Sequence, residues 1–302
     1  MGLEKYFVTN AISNELRQKI SDFEELISIP TKNENAIQAF LEANTTFMPT
    51  PDLLGHRLHL NSVIAKFPVG ERSTDYAYLT KTSIEWQLVL VELEDSGKRI
   101  FKPSSKDLAF TSEFGNAIAQ IDVWRDYASQ HLDRLRDKLR PLMVPQPMAH
   151  HRLSVRYVLV IGRSEEIEHH EARKLRLANY GAERDLRIMT YDTLLREVEA
   201  GHSRPKAVLR ANSRGYLLQS AEGMPAHMFA DIMPAQLELS GPAEASLRAE
   251  TYDIDAWKRN EPLNFNEKWT RTSEPARYDS MHPAVKNIMA IQKKPKDGNH
   301  SD

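Results

Sequence analysis

Residues 74–127 read TDYAYLTKTSIEWQLVLVELEDSGKRIFKPSSKDLAFTSEFGNAIAQIDVWRDY, and the fold turns on how their centre is read. Trp86 to Glu94, WQLVLVELE, is short and rich in Val and Leu, the pattern of a strand buried on both faces of a sheet. Side chains alternate along a strand, so Leu88, Leu90, Glu92 and Glu94 share one face while Val89, Val91 and Leu93 take the other. Two carboxylates therefore leave a core element side by side. Asp75 opens a second short strand, Asp75 to Leu79, and Lys81-Thr82-Ser83 is a turn of hairpin length between the two. If these strands pair, Asp75 lies close to Glu92.

Three crowded carboxylates raise one another's pKa unless they share a cation. Hard oxygen ligands at this spacing suit Mg2+ or Mn2+, and an ion held by few protein oxygens keeps waters of its own, as metal-assisted phosphodiester hydrolysis requires. The same acids also fit a plainer reading, in which Glu92 and Glu94 mark where the strand leaves the core and Glu94-Asp95-Ser96-Gly97 is the next turn. Downstream, Ser112 is expected to cap a helix running to about Arg140, with Phe114, Ile118, Ile121, Ala128, Leu132, Leu135 and Leu139 as its core stripe. Gln120, Trp124 and Tyr127 form a second stripe. A Gln amide both donates and accepts, so Gln120 is placed either to orient a metal-bound water or hold Glu94, or simply to sit on the helix surface. Between strand and helix, Lys98, Arg99, Lys102 and Lys106 offer cations for a phosphate backbone, or make a solvated loop.

An Asp, an acid-x-acid at the end of a buried strand and a helix carrying Gln-x-x-x-aromatic resemble the PD-(D/E)XK restriction-endonuclease-like signature followed by QxxxY; here the pieces are Asp75, Glu92-Leu93-Glu94 and Gln120 to Trp124. The wider wording, VELEDSGKRIFK with Ala117 to Gln120, Trp124 and Tyr127, is similar to the nuclease domain of the Shedu anti-phage defence family over roughly Thr31 to Ala200. That resemblance implies a mixed α/β sheet flanked by helices, DNA hydrolysis with magnesium or manganese, and an oligomer. It implies Asp75 and Glu92 as metal ligands, Glu94 completing the site or acting on the water through it, Gln120 in support, and Lys98 and Lys102 against DNA. Two positions depart from the pattern: Glu94 stands where the signature has lysine, and Trp124 where it has Tyr. A second metal ion held partly by Glu94, or Lys98 or Lys102 reaching back, then has to do the lysine's work of offsetting charge on the phosphate. The alternative is a degenerate nuclease fold kept as a sensor or scaffold.

The rest of the chain frames this centre. At 302 residues, 41% hydrophobic and 27% charged, it can bury a substantial core. No run approaches a membrane span, the N-terminus lacks signal-peptide character, and Tyr6 stands where a myristoylation pattern asks for Ser or Thr; a cytoplasmic protein is expected. With no Cys there are no disulfides and no thiol chemistry, and a net charge of −2 requires any DNA contact to come from a local basic groove. Three segments are expected: an N-terminal helical segment over 1–30, the nuclease domain over 31–201, and a partly irregular or disordered extension over 202–302. In the first, Ser13 to Ile27 has a helical stripe; Thr31 to Glu34 reads as a capping box, with Glu34 a lesser candidate for the metal site. Val155 to Ile161, a charged helix from Glu165, Leu186 to Thr190 and a helix capped by Asp192 make a crossover unit with parallel strands. Beyond His202 the periodicity fades to a hairpin about Asn212 to Gly215, a short strand at Ala235 to Leu239, and isolated Trp257, Phe265 and Trp269 suited to wrapping a neighbouring subunit.

Overall fold

The chain is described by a computed structural model covering residues 13–29, 33–51, 57–103, 108–224, 228–261 and 263. Ser13 caps α1 (Asn14–Ser28) by accepting the Leu16 amide, and Ile20, Phe23 and Ile27 form its buried stripe. α2 (Glu34–Ala43) buries Ile37 and Leu41. Its N-terminus is not held by the expected capping box. Asn33 is the cap residue and its side chain makes no capping bond; Asp95 Oδ1 accepts the amides of Asn33 and Glu34 at 2.6 and 3.0 Å. A charged acceptor from a distant turn does the work assigned to a local hydroxyl, while Thr31 and Lys32 lie outside the described residues.

β1 (Arg57–Leu58), β2 (Ser62–Ala65) and the small hairpin β3 (Pro68–Val69) with β4 (Arg72–Ser73) lead into β5 (Tyr76–Lys81), which turns back as β6 (Glu85–Leu93). His59 is a core residue, its Nε2 2.8 Å from the Leu142 carbonyl and its ring against Trp86; His56 lies outside the described residues. After β6 come α3 (Ser112–Gln130) and α4 (Leu132–Leu139), where one helix to Arg140 was expected. His131 leaves helical backbone angles, yet its N–H still bonds Tyr127 and its carbonyl still accepts Leu135, so the break is a one-residue kink. The α3 cap is Thr111, not Ser112: its hydroxyl accepts the Phe114 amide and donates to the Arg99 carbonyl, a double use that Ser112, one residue along, does not make.

β7 (Arg152–Val160), α5 (Glu165–Glu168), α6 (Glu171–Ala182), β8 (Leu186–Met189) and α7 (Tyr191–Glu199) complete the crossover, with His169 and His170 separating two helices where one was expected. Asp192 does not cap α7. The cap residue is Thr190, and Asp192 instead takes Arg163 and the Ser164 amide. β9 (Ala207–Ala211), β10 (Tyr216–Ser220), α8 (Met228–Asp231), β11 (Leu237–Leu239), α9 (Gly241–Ala249) and α10 (Ile254–Lys258) follow.

Nine strands form one mixed sheet in the order β11-β10-β9-β2-β5-β6-β7-β8, with β1 also paired to β5. β6, β7 and β8 are parallel, as are β2 with β9 and β10 with β11, while β5 runs against both β2 and β6. β6 thus lies inside the sheet, and both of its faces are covered, which is why its run of apolar residues is unbroken. Leu88 and Leu90 join the core under α3 and α4; Val89, Val91 and Leu93 join the one under α1, α2 and α7. The sheet continues past Gly201, because β9 adds in parallel to β2, and Trp257 is buried with its Nε1 2.8 Å from the Ile232 carbonyl. Trp257 is therefore a core residue and not a surface arm; Phe265 and Trp269 lie outside the described residues.

Candidate active site

The β5–β6 register sets Tyr76 opposite Val91, and one step further the same register sets Asp75 opposite Glu92. Both side chains are almost fully buried, at 6% exposure each. Asp75 is held at both oxygens. Oδ2 accepts the Leu93 amide at 2.8 Å, and Oδ1 takes Lys66 Nζ at 2.7 Å. Lys66 was not singled out in the sequence. It sits at the end of the β2–β5 ladder, its own amide bonding the Asp75 carbonyl, and the hairpin Phe67 to Thr74 between the two residues was the signal that could have found it.

Glu92 points to the α3 side, where Gln120 Nε2 donates to its Oε1. Gln120 thus holds Glu92, not Glu94. Glu94, two residues on, is paired with Lys98, and its backbone carbonyl accepts the buried Tyr191 hydroxyl at 2.7 Å. Of the three stripe residues, Trp124 is a core side chain whose indole N–H has no partner among the described residues, and Tyr127 packs half-buried against the same cluster. Lys102 is exposed on the following loop, where its carbonyl accepts Arg173, and Lys106 lies outside the described residues.

The charge state follows from this crowding. Burial first, then Asp75, Glu94 and Glu34, push the Glu92 carboxyl up to about 10, with Lys66 opposing. Glu34 is raised in the same way, by burial and then by Asp75 and Glu94. Burial works against the Lys98 ammonium, but its bond to Glu94 and the nearby Asp95 and Glu34 outweigh that and hold it above its ordinary value. Four carboxylates from β5, β6, the next turn and α2 thus sense one another across one end of the sheet. Among the described residues no group of three or more His, Asp or Glu side chains converges as a ready-made ligand set. A cation here would rest on Asp75 and Glu92 with water completing its shell, and the excess negative charge that raises Glu92 is what such an ion relieves.

The turn beyond Glu94 is locked from both sides. Asn33 Nδ2 bonds Ser96 Oγ and the Leu26 and Ile29 carbonyls, joining α1, α2 and this turn. Gly162, at φ +65°, lets the backbone after β7 approach so closely that an added Cβ would sit 2.4 Å from the Lys98 carbonyl oxygen. A family model described as Shedu protein SduA, C-terminal, matches residues 31–195, more than half of the chain. The chain belongs to this Shedu family. The Shedu match begins just before α2 and ends inside α7, so it takes in Asp75, Glu92, Glu94, Lys98 and Gln120, and stops short of β9. No curated protein matches the chain in sequence.

Proposed function

We propose that this Shedu chain acts in anti-phage defence as a metal-dependent DNA endonuclease of the restriction-endonuclease-like class, working as a cytoplasmic homo-oligomer. The observation that carries the reading is the opposition of Asp75 and Glu92 across adjacent strands, with Gln120 fixing one oxygen of Glu92. These two carboxylates would hold Mg2+ or Mn2+. When bound, such an ion supplies a nucleophilic water at neutral pH and polarises a phosphoryl oxygen. Gln120 keeps the Glu92 carboxylate in one rotamer. Lys98, next to Glu94 and four residues along the same turn, brings the positive charge that Glu94 cannot, and Lys98 and Lys102 face the phosphate backbone.

A second reading has its own observation. Two of the three carboxylates already have a lysine partner, Lys66 for Asp75 and Lys98 for Glu94, as a site that had lost its ion and kept its fold would. That reading makes the chain a sensor or scaffold in defence.

Supercoiled plasmid with Mg2+ or Mn2+ separates them. Nicking by the wild-type protein that disappears in Asp75→Asn and Glu92→Gln is the result expected. Plasmid left intact by wild-type protein, together with cellular protection that survives both substitutions, would replace the endonuclease with the sensor.

A further inference from the structure

Among the described residues, the face of the sheet opposite Gln120 is covered by helices over only part of its length. α1, α2 and α7 pack over the C-terminal half of β6 and β7, and beside them a cleft of about 910 Å³ runs from the exposed part of that face past β8 to α6. Val89, Val158 and Met189 line it together with Thr80 and Gln87, an apolar floor edged by groups that donate and accept. Its volume lies within the ~300–1,000 Å³ of small-molecule sites and far exceeds a bare inorganic anion.

Two arginines of this cleft have no carboxylate partner among the described residues, whereas several elsewhere are paired. Arg163, Arg184 and Arg248 each face a carboxylate. Arg156 is exposed on β7, beside Val89 in the β6–β7 register, and has no hydrogen bond or ion pair among the described residues. Arg196 on α7 bonds only hydroxyls there, Ser164 Oγ at 3.3 Å and Thr193 Oγ1 at 3.2 Å. Ser164 and Thr190, both nine-tenths buried, share a 2.6 Å hydroxyl bond beside it at the start of α7. Arg187 lines the same wall with a partner of its own, and Glu168 and Asp185 stand at the rim. Two guanidinium groups without carboxylates, a hydroxyl cluster and an apolar floor suit a ligand with an anionic end and a flat body.

From this geometry we propose that the cleft binds a phosphate-bearing nucleotide, its phosphates on Arg156, Arg196 and the Ser164–Thr193 hydroxyls and its base over Val89 and Val158. The site is on the other face of the sheet from Asp75 and Glu92 and does not depend on the endonuclease reading. The same chemistry is presented by a free nucleoside diphosphate and by the 5′-phosphorylated end of a DNA strand.

The test is fluorescence titration of the full chain in EDTA with N-methylanthraniloyl-ADP and, separately, with a fluorescein-labelled 5′-phosphorylated oligothymidine. Arg156→Gln with Arg196→Gln should weaken the bound probe at least tenfold, while Arg72→Gln with Arg134→Gln, at exposed positions outside the cleft, leaves it within twofold. Tighter binding of the mononucleotide assigns a free ligand; tighter binding of the oligonucleotide assigns a strand end. No binding of either probe by wild-type protein overturns the proposal, as does mononucleotide binding that the Arg156 and Arg196 substitutions leave unchanged. Arg156→Gln alone, at an exposed position, gives the same readout if the double variant fails to fold.

Discussion

At Glu92 the two-residue period of a strand carries a carboxyl to the core side, whereas its chemistry favours water. Its folded value is pushed up to about 10 by burial and by Asp75, Glu94 and Glu34, against about 4.3 in an unfolded chain. The folded protein therefore holds this proton more tightly than the unfolded one, so the contribution to stability is complete below about pH 4 and drains away as pH rises toward 10. In metal-free protein, Glu92→Gln should raise stability at pH 8 by about 1–3 kcal/mol and flatten the fall of Tm between pH 5 and pH 9. Parallel curves for the two proteins would show that another group titrates. Lys66 is the complementary case, its ammonium occupying an Asp75 oxygen that a metal ion would need. Lys66→Met should tighten Mn2+ binding several-fold by calorimetry, and unchanged affinity would remove Asp75 from the ligand set. Asp75, Glu92 and Glu94 were legible because alternation and a hairpin place them without any other part of the fold. Lys66 was not, because its meaning comes from a second hairpin closing back onto Asp75.

Among the elements, the departures from expectation share one cause. Local rules named Thr31 to Glu34, Ser112 and Asp192 as caps, and in each case tertiary packing supplied another partner: Asp95 for α2, Thr111 tied to Arg99 for α3, and Arg163 taking Asp192 away from α7. The kink at His131 has no Gly or Pro to announce it in the sequence; it follows from keeping Leu135 and Leu139 on the core while α3 ends. Gly162 is the reverse case, a residue whose reason is visible only in three dimensions. Its positive φ and its approach to the Lys98 carbonyl fasten the end of β7 to the turn that carries Glu94 and Lys98. Gly162→Ala should therefore cost about 2 kcal/mol or more in urea unfolding and disturb the Glu94–Lys98 turn first. Hydrogen exchange at the Lys98 and Gly162 amides reads that local loss, and protection equal to wild type would mean the backbone accommodates the methyl elsewhere.

For the whole molecule, the Shedu match and the sheet disagree about where the folded unit ends. The match stops at residue 195, and the fading pattern after His202 suggested a loose extension, yet β9 lies between β2 and β10 and is paired on both edges. Its Leu209 belongs to the same core as Leu88 and Leu90, together with Leu218, Phe229 and Trp257. The hairpin about Asn212 to Gly215 and the short strand ending at Leu239 were legible as elements and are β9 with β10 and β11; their place in the main sheet was not, because strands of five and three residues carry too little pattern to say which strand they pair with. Emptying one large core position costs roughly 2–5 kcal/mol, against a total of about 5–15 kcal/mol for a domain. A fragment ending at residue 201 removes several such positions at once and leaves β2 with an open edge beside apolar surface. That fragment is expected to be aggregation-prone, to bind a hydrophobic dye, and to unfold without a cooperative transition. Recovery of a monomeric fragment 1–201 with a sharp melt would instead make residues 207–258 a separable unit resting on the region that the family model matches.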